Sequence, residues 1–157
     1  MIDWINLGTC VFTAGATVVA AIALLRSNNT QKKMELHQRK ESTILSFQGL
    51  QKDVLDKMVS VADKEITDVM ECLDEPKMKE IYDIYRSMIA RCEHFAVGVE
   101  EGVYDFDTVD ALAGKHLVFL YGKFKRIINE ARRRGGDETY YIHFEQLANK
   151  LDKQHRT

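Results

Sequence analysis

Charge is absent from Ile5 to Leu25, and Asn6 is the one strongly polar residue in that run. As a helix, ~21 residues rising 1.5 Å each cover ~31 Å, the depth of a bilayer's hydrocarbon core. Trp4 marks one edge and Arg26 the other. No basic n-region or small-x-small cleavage site accompanies the run, so it reads as an uncleaved membrane anchor over 1–26 rather than a signal peptide. Asp3 precedes it, whereas Arg26, Lys32, Lys33, Arg39 and Lys40 follow. The positive-inside rule then predicts a single-pass membrane protein with its C-terminal domain cytoplasmic and its N-terminus outside, which in a bacterium would put the chain in the inner membrane. Asn6, Thr9, Thr13, Ala16 and Ala20 recur at steps of three and four, with Thr17 beside them. A stripe of small and hydroxylated residues predicts helix association, hence a homo-oligomer or a pore lined by this face.

Residues 27–43 are almost wholly polar and predict a solvated juxtamembrane helix or stalk. A helical period begins at Ile44. Ile44, Phe47, Val54, Met58 and Val61 share a face interrupted at Gln51, and Ile66, Val69, Met70 and Leu73 extend it. Asp74-Glu75-Pro76 predicts a stop and restart, with proline in the first turn. Met78, Ile81, Tyr85, Met88, Cys92, Phe95 and Val99 then step strictly by three and four. Gly98 and Gly102 are expected to end that helix, and Asp105 or Asp107 to cap the next. The following stripe is Val109, Ala113, Leu117, Leu120, Phe124, Ile127 and Ala131, stopped at Gly135-Gly136. Asp137 is expected to cap a final helix that buries Tyr141, Phe144, Leu147, Ala148 and Leu151. No sustained period-two alternation and no internal repeat is present. The prediction is an all-α chain: an N-terminal transmembrane helix, then about four bundled helices over 44–157.

A net charge of -2 gives no global basic field, and duplex nucleic acid is not an expected partner. Cys10, Cys72 and Cys92 are too scattered for a metal or redox unit, and no metal or cofactor is expected. The histidines form no ligand set: His94 follows Glu93 directly, His116 and His143 have no sequence partner at ligand spacing, and His37 and His155 lie in polar segments expected to be exposed. Helical ribonucleases of the HEPN class place an arginine about four to six residues from a histidine. Arg91 and His94 are closer than that and Arg134 and His143 farther, so only a degenerate form of such an enzyme would fit. No phosphate loop or catalytic serine or zinc motif occurs, and the chain reads as a non-enzyme.

One polar feature stands out. Lys123, Lys125, Arg126, Arg132, Arg133 and Arg134 crowd the end of one helix, followed by Gly135-Gly136 and Tyr140-Tyr141. Arginine forks grip phosphate and tyrosines stack on bases, which makes Lys123, Arg126, Arg132, Arg133, Arg134 and Tyr140 a candidate ligand site for a nucleotide second messenger. Cations complementing a helix C-terminus are the alternative.

Two segments are more specific than generic helix patterns: Gly98-x-x-x-Gly102-x-Tyr104-Asp105, and Arg134-Gly135-Gly136-x-x-x-Tyr140-Tyr141-x-x-Phe144-Glu145. With them the chain resembles an uncharacterised bacterial family, domain of unknown function 4760, in which one N-terminal span precedes a short helical domain. The layout is also similar to small membrane effectors of bacterial antiviral systems, CRISPR accessory proteins among them. That resemblance implies an oligomeric inner-membrane effector that perturbs the bilayer or opens a pore. Its rivals are a membrane-tethered adaptor whose helical domain docks a cytosolic protein, and the degenerate ribonuclease.

Overall fold

The computed structural model describes the backbone of residues 4–156 and the side chains of Leu24 and of residues 26–156. It is helical, with no strand among the described residues. The elements are α1 (Trp4–Leu50), a π-helical turn (Gln51–Leu55), α2 (Asp56–Ser60), α3 (Asp63–Glu71), α4 (Pro76–Glu100), α5 (Phe106–Gly135) and α6 (Ile142–Arg156). The chain divides into two compact units, Met1–Gln38 and Arg39–Thr157.

The membrane expectation is corrected here. Among the described residues no helix is long and apolar enough to cross a membrane. α1 has the length, but its described side chains from Arg26 to Glu41 include Arg26, Lys32, Lys33, Glu35, Arg39, Lys40 and Glu41, and each of them is exposed. These charges fall where a polar stalk was expected and keep that part of α1 out of a hydrocarbon core. The side chains of the run expected to span, including Asn6, Thr9, Thr13, Ala16, Thr17 and Ala20, lie outside the described residues. The described residues thus provide no membrane-crossing helix, and a single-pass inner-membrane location with an outward N-terminus is not supported.

In the unit Arg39–Thr157 the core is one contiguous cluster. It begins earlier than the polar pattern suggested, because Thr43 is fully buried. Its hydroxyl donates to the Arg39 carbonyl (2.7 Å) and accepts from the Asp105 amide (2.8 Å), so burial leaves no polar atom of that side chain unmatched. The interruption at Gln51 has a physical form: the π turn there places Val54 and Leu55 side by side, both 1% exposed. A break at Val61-Ala62, both extended, separates α2 from α3 without a glycine or proline.

α4 starts with Pro76 at its first turn, as expected. It packs against α3, α5 and α6, so its buried face is wider than one stripe and takes in Tyr82, Ile89 and Ala96. Asp105 caps α5, its carboxylate accepting from the Thr108 amide at 3.0 Å. α5 is interrupted at Ala113. Beside that point His155 of α6 pairs with Asp110 at 2.8 Å, over Gly114, where a Cβ would lie 2.2 Å from the Asp110 oxygen. Phe124, Ile127, Phe144 and Leu151 are fully buried where α5 and α6 meet the rest.

The two distinctive glycine–tyrosine segments are turns built on one device. α4 passes through Gly98 and ends before Gly102, whose φ is 69°. The Tyr104 ring lies on Gly98, where a Cβ would be 2.4 Å from it, and stacks on Phe95. After α5, Gly136 at φ 65° forms the left-handed cap and the Tyr140 ring lies on Gly135, again 2.4 Å from where a Cβ would be.

Asp137 does not cap α6. It closes its own small turn by accepting from the Thr139 amide at 2.8 Å. The N-terminus of α6 is satisfied by Glu93 of α4, whose carboxylate accepts from the His143 amide (3.1 Å) and the Phe144 amide (2.7 Å).

Candidate functional site

The basic cluster at the end of α5 is engaged by the chain itself. Lys123 donates to the Val59 carbonyl of α2 at 2.9 Å, and Arg126 to the Thr67 hydroxyl of α3 at 3.2 Å. Arg132 is 11% exposed; it donates to the Tyr140 carbonyl (2.9 Å) and to Glu145 (2.7 Å), tying α5 to α6. Arg133 and Arg134 share Glu130, at 2.6 and 2.7 Å, and Arg134 also reaches Asp74 at 3.8 Å. The two guanidiniums hold the Glu130 carboxyl down at about 2. The structure thus brings together Arg132 with Tyr140, and Arg133 with Arg134. Lys123 and Arg126 reach different helices. Arg134 and His143 are not partnered with each other: His143 is held by Glu100.

Two of the concave surfaces among the described residues lie elsewhere, beside the end of α4. The first is an open groove of about 330 Å³ where the end of α1 meets α4 and the Tyr104 turn. Leu50, Phe95 and Tyr104 give it an apolar base, and Arg91 and His94 a polar lip. Arg91 donates to Asp53 at 3.1 Å, both half exposed. On the α1 side Leu45 is 70% exposed. Beside it Gly49 faces open space, with nothing within 4 Å of where its Cβ would be. Glycine inside a helix costs about 1 kcal/mol relative to alanine, and no packing among the described residues requires it at Gly49.

The second is a cleft of about 240 Å³ between α4, the start of α5 and α6. Its lining includes Ala96, Val99 and Leu147 together with Glu100, His143 and Lys150. His143 Nδ1 meets a Glu100 oxygen, which raises the imidazole above its ordinary 6.5, with Glu93 and Glu101 adding to the effect against a small cost of burial. The Lys150 ammonium sits 4.0 Å above the Phe106 ring.

The sequence pointed to neither surface. Gly49 sits in an apolar-periodic stretch without a turn around it, the one local sign of the groove; the cleft is assembled across three helices and has no local sign. Among the described residues no group of His, Cys, Asp and Glu could hold a metal ion.

No curated protein and no solved structure matches the chain. A family model does, over residues 11–151, a range that contains both tyrosine turns, the groove and the cleft. The chain therefore belongs to the family described as a domain of unknown function (DUF4760).

Proposed function

We propose that the helical domain is an adaptor that docks a partner protein in the groove between the end of α1 and α4. The observation that carries this is Gly49, a mid-helix glycine opening onto solvent beside a leucine that is 70% exposed. Neither residue stabilises this chain where it stands; both suit an occupant that approaches the α1 backbone closely. The occupant that fits is the apolar face of a partner's helix, carrying an acidic residue to meet Arg91 and His94 at the lip. Side chains from successive turns of such a helix would cover Leu45, Leu50 and Phe95. The antiviral-effector and ribonuclease readings have no comparable support: among the described residues no helix is long and apolar enough to cross a membrane, and Arg134 and His143 are not partnered with each other.

The test is photo-crosslinking in cells from position 45, with position 64 on exposed α3 as control. The adaptor reading predicts one discrete adduct from position 45, lost in Gly49→Leu and weakened by Arg91→Glu, with the melting curve of Gly49→Leu unimpaired. An adduct that survives Gly49→Leu, or the same adducts from both positions, overturns it. A product of twice the chain mass assigns the groove to self-association and overturns it too.

A further inference from the structure

The cleft between α4, α5 and α6 has a chemistry of its own, independent of the groove. Its apolar lining comes from side chains otherwise in the core: Ala96, Val99 and Leu147 are 2, 8 and 6% exposed. Three charged groups stand around it. Glu100 is taken up by His143, whereas the Lys150 ammonium is in no ion pair among the described residues and rests only on the Phe106 ring. With His143 protonated, the lining therefore carries one uncompensated positive charge beside an apolar wall.

We propose that this cleft binds a small amphiphilic monocarboxylate, its head at Lys150 and its hydrocarbon body against Val99, Phe106 and Leu147. A carboxylate accepts from the ammonium and, while the ring is an imidazolium, from His143 Nε2, since Glu100 engages only Nδ1. At about 240 Å³ the cleft falls short of the ~300 Å³ at which drug-sized sites begin, so the body is a short chain or a single ring. An amine of the same shape would meet Lys150 and be repelled. A dianion would carry more charge than the lining compensates and would crowd Glu100, with Glu93 on the same helix and Glu101 just past its end close behind. Affinity should fall as pH rises and the imidazolium loses its proton.

The experiment is a chemical-shift titration of the ¹⁵N-labelled full chain with phenylacetate and with hexanoate, using phenethylamine and inorganic phosphate as comparisons. The expected result is saturable shifts at the amides of Gln146, Leu147 and Lys150 for the two acids alone. Lys150→Met should weaken them about tenfold. Gln146→Trp, which fills the mouth from an exposed position, should abolish them while leaving the rest of the spectrum in place. No saturable shift by about 10 mM overturns the proposal, as does binding of the amine as tight as the acid. Binding indifferent to both substitutions, or independent of pH through the titration of His143, overturns it as well.

Discussion

Cys92 and Cys72 carry the same thiol in opposite settings. Cys92 is 1% exposed with its sulfur 3.8 Å from Met58 Sδ, and burial pushes its thiol up to about 12, with Arg91 opposing slightly. Cys72 is exposed just past α3. The thiolate is the reactive form, so alkylation with iodoacetamide at pH 8 should modify Cys72 about a thousandfold faster than Cys92, read by peptide mass spectrometry. Comparable rates without denaturant would refute the burial of Cys92. That Cys92 would be inward was legible from its place in the stripe from Met78 to Val99. Other single-residue roles were not. Glu93 figured in the sequence only as the neighbour of His94, yet it caps a helix some fifty residues away, and nothing local announces such a bond. Thr43 read as the end of a polar stretch, because its buried hydroxyl is matched by a backbone amide on the far side of the sequence.

At the scale of elements, the helices of the unit Arg39–Thr157 follow from periodicity and punctuation. Pro76, Asp105 and Gly136 each act as their chemistry dictates: first turn, side-chain cap, left-handed stop. The break at Val61-Ala62 escaped because two residues can become extended without any special side chain. Asp137 misled in the other direction, since an aspartate before a helix closes a turn as readily as it caps. The glycines separate into two kinds, and substitution should distinguish them. Gly98→Ala and Gly135→Ala drive a methyl into a tyrosine ring and should each cost about 1–3 kcal/mol in urea denaturation. Gly49→Ala meets nothing and should stabilise by about 0.5–1 kcal/mol. Destabilisation by Gly49→Ala would mean that the chain itself, not a partner, needs that glycine.

For the molecule as a whole, ion pairs set the pH range of stability. Glu130 lies at about 2 instead of 4.5, held there by Arg133 and then Arg134. A carboxyl depressed by folding stabilises above its ordinary value, and that contribution disappears as pH falls from about 4.5 towards 2. Both arginines reach solvent, 70% and 39% exposed, and screening limits the contribution to about 1 kcal/mol. His143 runs the other way: raised by Glu100, it stabilises below 6.5 and the benefit is lost as pH rises through its folded value. Urea midpoints measured across pH should therefore fall at both ends. Glu130→Gln should make the acid limb shallower and His143→Gln the basic limb. An unchanged acid limb in Glu130→Gln would show that its arginines find other partners. At this scale the all-helical class was legible and the candidate sites were not, because each groove is made by residues dozens of positions apart whose encounter only packing decides.

The tyrosine turns have a consequence for chain length. Each ring reaches back to a glycine at a set spacing, Tyr104 to Gly98 and Tyr140 to Gly135. One residue added inside either connection would carry the ring past its seat and leave the glycine bare. The two connections thus act as rulers, fixing how far α5 starts from the end of α4 and α6 from the end of α5, while the extended link at Val61-Ala62 carries no such gauge.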